Sequence, residues 1–155
     1  MISSVQAVVV QGYGVASGKS DDDRFPNGTV ALQIPFFKKS GLPTETFHLG
    51  TINIDISPFL FELNQPSYYF HQIRWSPHLP AENFSFFKCS LGIDSVSAES
   101  MYPAFVYWPH PSTKPDFQQP PGVLELIAPF IPNLKYGSLV NFSSEKDINF
   151  HQNSL

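Results

Sequence analysis

Cysteine is nearly missing from this chain of 155 residues: Cys89 stands alone, which excludes an internal disulfide and fits a reducing compartment. Charge is scarce as well. Asp, Glu, Lys and Arg make up 14% of the residues, the formal net charge is −4, and no cluster of Lys and Arg interleaves with the aromatics. A broad nucleic-acid surface is therefore excluded. No apolar run approaches the roughly 20 residues needed to cross a bilayer as a helix. The start, Met1-Ile2-Ser3-Ser4-Val5-Gln6, lacks the positive region and apolar stretch of a secretion signal. Five histidines, His48, His71, His78, His110 and His151, are scattered without metal-ligand spacing, which argues against a zinc site. Together these absences predict a soluble, cytoplasmic protein with neither nucleic acid nor membrane as partner.

A sustained helical period is also missing, whereas Pro and Phe are plentiful, at 15 each. Proline argues against long helices and aromatics favour strands. Short strand-like runs recur near Val5–Val10, Val30–Ile34, Thr51–Ile56, Tyr68–Trp75, Phe84–Leu91, Phe105–Trp108, Val123–Ala128 and Ser138–Phe142, separated by turn residues. Regular short strands with little helix predict an all-β barrel or sandwich of one domain. The sole helix candidate is a turn or two at Ser57-Pro58-Phe59-Leu60-Phe61-Glu62, where Ser could cap and Pro could take the first helical position. Two polar or proline-rich insertions, 18–27 and 109–121, read as functional loops. Residues 1–142 form the expected domain and 143–155 a polar C-terminal tail prone to fraying.

Chemistry concentrates in three places. In Gly50-Thr51-Ile52-Asn53-Ile54-Asp55-Ile56, strict alternation puts Thr51, Asn53 and Asp55 on one face of a strand and the isoleucines on the other. A row of oxygen-bearing side chains suits a hard cation such as Mg²⁺ with its phosphates; it equally suits a plain solvated face. The loop Gly12-Tyr13-Gly14-Val15-Ala16-Ser17-Gly18-Lys19-Ser20 ends like a P-loop, but the glycine required five positions before Gly18 is Tyr13. Such a loop can bring bare backbone N–H groups against a phosphate, or can be a ligand-free hairpin. The third place is Val123-Leu124-Glu125-Leu126-Ile127-Ala128-Pro129. A lone acid in an apolar strand either points outward or binds a polar ligand in a pocket.

Taken in order, the islands Gly12–Lys19, Gly50–Ile54, Leu124–Pro129 and Gly137–Val140 resemble the CTP-dependent, archaeal-type riboflavin kinase family. The shared patterns are Gly-x-Gly, Gly-Thr-x-Asn, Leu-Glu-x-Ile-Ala-Pro and Gly-x-x-Val. The resemblance implies a six-stranded cradle-loop barrel, within the six to eight strands expected of the all-β chain, and conversion of riboflavin to FMN with CTP and Mg²⁺. It implies Thr51 and Asn53 as Mg²⁺ ligands, and Gly12, Gly14, Gly18 and Lys19 along the cytidine nucleotide. Glu125 and Thr113 would contact the flavin. The chain departs from the family pattern in places: Phe130-Ile131-Pro132-Asn133 stands where Leu-Arg is usual, and a Gly-Gly-Arg-Thr segment has no counterpart between Tyr68 and Gly92. The alternative implied by those departures is a non-catalytic flavin- or nucleotide-binding barrel module. A protein-interaction domain using the proline-rich loop is a third option.

Overall fold

A computed structural model describes residues 4–11, 29–43, 47–48, 50–77, 79–93, 101–110 and 122–152. Nine strands and one helix occur among them: β1 (Ser4–Val10), α1 (Thr29–Lys39), β2 (Ile52–Asp55), β3 (Phe59–Leu63), β4 (Tyr68–Ile73), β5 (Glu82–Gly92), β6 (Met101–Pro109), β7 (Val123–Ile127), β8 (Leu139–Ser143) and β9 (Ile148–Gln152). Seven strands form one antiparallel sheet in the order β4-β5-β6-β7-β2-β1-β8, and β8 returns to pair with β5. The sheet is thus a partly closed ring. Strands β3 and β9 form a separate antiparallel pair.

The closure depends on the length of β5. Its first half pairs with β4, through Tyr68↔Phe86 and Phe70↔Phe84, and its last residues pair along the same edge with β8, through Ser90↔Ser143 and Leu91↔Phe142. Lys88 lies between the two partners. Its N–H donates to Asp147 Oδ2 at 2.8 Å and its carbonyl accepts from Ser144 Oγ at 2.9 Å. Two side chains therefore supply the ladder bonds that no strand provides there, as buried backbone groups require.

Period-two alternation divides the sheet into two faces. Inside the ring, Val5, Ala7, Val9, Ile54, Ile56, Leu91, Val106, Leu124, Leu126 and Phe142 form the main core, which Ile148 and Phe150 of β9 join. The outer face carries a second core, in which Phe37 of α1 stacks on Phe70, meets Phe84 and Phe86 edge-on and packs against Tyr107.

Three expectations are corrected. Val30–Ile34 is helical rather than a strand: Val30, Gln33, Ile34 and Phe37 are the buried positions, at the i, i+3, i+4, i+7 spacing of one helix face. Burial of that face overrides the loss of a backbone donor at Pro35 within the helix. The helix ends in a Schellman motif: Leu42 N–H donates to the Phe37 carbonyl at 3.0 Å and Gly41 N–H to that of Lys38 at 3.1 Å. Gly41 has φ +110°, a conformation open to glycine and costly for side chains with a Cβ. Second, the turn of helix expected at 57–62 is strand β3, following a cis Ser57–Pro58 bond. Third, the polar segment after residue 142 contributes β9, with Ile148 and Phe150 buried against the main core.

Candidate functional site

Strand β2 sits between β1 and β7, and its register joins two of the sequence islands, Gly50–Ile54 and Leu124–Pro129. Asn53 pairs with Val10 at the end of β1 on one side and with Glu125 of β7 on the other. Cross-strand partners project to the same face, so Asn53 and Glu125 stand side by side. Thr51, two residues earlier, shares that face, and its hydroxyl donates to Glu125 Oε2 at 2.8 Å. The alternation expected from sequence is therefore present: Ile54 and Ile56 are fully buried inside the ring, while Thr51, Asn53 and Asp55 face outward.

The outward face is not simply solvated. Asn53 is 9% exposed, and it and Glu125 each have further interaction partners. Asp55 has a local duty, since its Oδ1 accepts the Ser57 N–H at 2.9 Å and fixes the turn out of β2. The polar row extends beneath α1. Tyr107 OH donates to Gln33 Oε1 at 2.6 Å, and Gln33 is completely buried with no hydrogen-bond partner for Nε2. Strand β6 pairs with β7 at Phe105↔Ile127 and Val106↔Leu126, so one residue further along Tyr107 stands level with Glu125. Sequence reading missed Gln33 and Tyr107; the helical spacing of Val30, Gln33, Ile34 and Phe37 was the available signal.

Thr51, Asn53 and Glu125, assigned from sequence to metal and flavin, are thus brought together. The nucleotide-loop residues Gly12, Gly14, Gly18 and Lys19, and the flavin candidate Thr113, lie outside the described residues. Among those described, no group of three or more His, Cys, Asp or Glu side chains converges on a metal position. A hydroxyl, a side-chain amide and one carboxylate nonetheless make an all-oxygen set of the kind Mg²⁺ accepts, since Mg²⁺ keeps several waters and uses one or two carboxylates. Thr51 directs its hydrogen at Glu125, which leaves its lone pairs for a cation.

Two other polar pairs have structural roles. Trp75 Nε1 donates to the buried Glu82 Oε2 at 2.6 Å. Ser85 Oγ and His110 Nε2 are 2.8 Å apart, and burial lowers the His110 pKa from its ordinary value, favouring the neutral ring. Ser85 is itself buried between its register partners Tyr69 and Trp108.

Compared with known protein families, with curated proteins and with solved structures, the chain gives no match. No helix among the described residues is long and apolar enough to cross a membrane.

Proposed function

We propose that this protein is a small-molecule phosphotransferase of the riboflavin-kinase type, which makes FMN from riboflavin and CTP in the cytoplasm. One observation carries the reading: Thr51, Asn53 and Glu125, drawn from two separate sequence islands, share one face and are joined by the Thr51–Glu125 hydrogen bond. In this reading the ring β5-β6-β7-β2-β1-β8 is a six-stranded cradle-loop barrel.

Thr51 and Asn53 hold Mg²⁺, with Glu125 beside them. When bound, the cation neutralises charge on the triphosphate. The 5′-hydroxyl of riboflavin forms a new bond to the γ-phosphorus, the bond from that phosphorus to the β–γ bridging oxygen breaks, CDP leaves, and the hydroxyl proton passes to solvent. Phosphoryl transfer depends mainly on positioning and charge stabilisation, so a rigid strand can supply much of what is needed. Glu125 orients the flavin by accepting hydrogen bonds, and the Thr51 hydroxyl fixes its carboxylate. The family resemblance would add Gly12, Gly14, Gly18 and Lys19 as nucleotide contacts and Thr113 as a flavin contact.

Incubation with riboflavin, Mg²⁺ and each nucleoside triphosphate in turn, followed by chromatography, tests this directly. FMN is expected with CTP; no FMN with any donor rejects the kinase. A specific observation favours a second reading, the non-catalytic binding module. Ile131, which stands where the family pattern has its arginine after Ala128-Pro129, is buried in the main core and offers no side chain to a nucleotide. Calorimetric titration with riboflavin, FMN and CTP separates the two, since a module binds without turnover.

A further inference from the structure

A cleft opens on the outer face of the ring and shares none of the residues assigned above. It encloses about 920 Å³, and its lining includes the rings of Phe47, Tyr68 and Phe105 together with Lys88, Lys146 and Asp147. The registers locate it. Lys88 pairs with Phe105 and Phe105 with Ile127, while the next residue of β7, Leu126, pairs with Ile52. Phe105 and Ile127 therefore stand between this cleft and Thr51.

The wall is rigid. Tyr68 meets Phe105 edge-on with centroids 5.6 Å apart, and Phe47 packs 5.9 Å from the same ring. Phe47 is tied down in turn by a bridge to Pro129. The volume falls within the range of about 300–1,000 Å³ common for small-molecule sites, and aromatic walls favour planar rings.

Charge decides the ligand class. Lys88 comes from β5 and Lys146 from the turn between β8 and β9, and both are exposed. Among the described residues neither ammonium group has an ion-pair partner. Asp147 also lines the cleft, with its Oδ2 accepting from the Lys88 N–H at 2.8 Å and from the Ser67 hydroxyl. Two ammonium groups on separate elements outnumber the single Asp147 carboxylate, so the cleft favours an anionic ligand. A phosphate monoester carries about −1.5 to −2 at neutral pH, whereas a carboxylate carries one charge.

We propose that this cleft binds an aromatic phosphate monoester of nucleotide size, with its phosphate between Lys88 and Lys146 and its ring against Phe47, Tyr68 and Phe105. The site is independent of Thr51, Asn53 and Glu125, and it stands whether or not the protein transfers phosphate. Calorimetric titration with AMP, CMP and FMN, each beside its unphosphorylated partner adenosine, cytidine or riboflavin, tests it. At least one monoester is expected to bind about tenfold more tightly than its partner. The double variant Lys88→Gln, Lys146→Gln should abolish that preference, whereas Asn53→Ala should retain it. Both lysine side chains are exposed, so the double variant should fold, with thermal melting as the control. Equal affinity for every monoester and its partner, absence of binding by all six compounds, or a preference that survives loss of both lysines overturns the assignment.

Discussion

Replacing Asp147 with Ala should weaken the whole fold although the residue lies in a polar stretch near the C-terminus. Its carboxylate is 4% exposed and accepts from the Lys88 N–H and the Ser67 hydroxyl, at the place where β5 exchanges β4 for β8 as its partner. Alanine keeps the backbone bond from Asn64 N–H to the Asp147 carbonyl, at 2.8 Å, but leaves both side-chain-bonded donors without their acceptor. Hydrogen bonds to a charged group contribute about 1.5–3 kcal/mol each, so losing two costs about 3–6 kcal/mol. Against a typical total of about 5–15 kcal/mol, that is a large share. Urea unfolding followed by circular dichroism measures it, and amide exchange at Lys88 should accelerate well beyond that of neighbouring β5 amides. Ser144→Ala removes two neutral bonds, one donated to the Lys88 carbonyl and one accepted from the Ile148 N–H at 3.2 Å, and should cost less, about 1–3 kcal/mol. The exposed neighbour Glu145→Ala should stay within about 0.5 kcal/mol. An Asp147→Ala protein as stable as the Glu145 variant would refute the idea that side chains complete the ring at Lys88.

Ile54→Ala should lose about 2–5 kcal/mol in the same unfolding assay, because Ile54 is fully buried and the change leaves a cavity in the main core. Asn53→Ala should weaken Mg²⁺–CTP binding in calorimetric titration while near-native circular dichroism persists; unchanged affinity removes Asn53 from the metal site. Burial pushes the Cys89 thiol well above its ordinary pKa, so labelling by a thiol reagent should stay slow and nearly flat between about pH 6 and 9, rising only on unfolding. His110, whose pKa burial lowers from 6.5, should titrate by NMR below that value. The unfolded chain then binds the proton more readily, so this group's contribution to stability falls as pH drops through about 6.5 and levels off below the folded-state pKa. A midpoint at or above 6.5 would contradict that sign.

Strand positions were readable wherever one face is buried and the other is not. Alternation in β1 and β2, and the apolar runs of β5 and β7, follow from the two-residue period of a strand, which any register must respect. The same alternation put Thr51 and Asn53 on one face. Their meeting with Glu125 was not in the local pattern, because it depends on β2 and β7 being neighbours although about seventy residues separate them in the chain. Helix α1 was misread because Pro35 interrupts a short apolar segment. What stabilises it is the outer face of the sheet, where Phe37 finds Phe70, Phe84 and Phe86, none of them nearby in sequence. Likewise Ile148 and Phe150 sit in a segment too polar to announce a strand, and β3 gives them a partner and a core to enter. The sequence by itself determined the period of β1, β2, β5 and β7, the scarcity of helix and the identity of the oxygen-bearing face. Only the tertiary structure decided which strands become neighbours, and hence which polar groups meet, because pairing across the sheet is a non-local choice made by burial of the whole core.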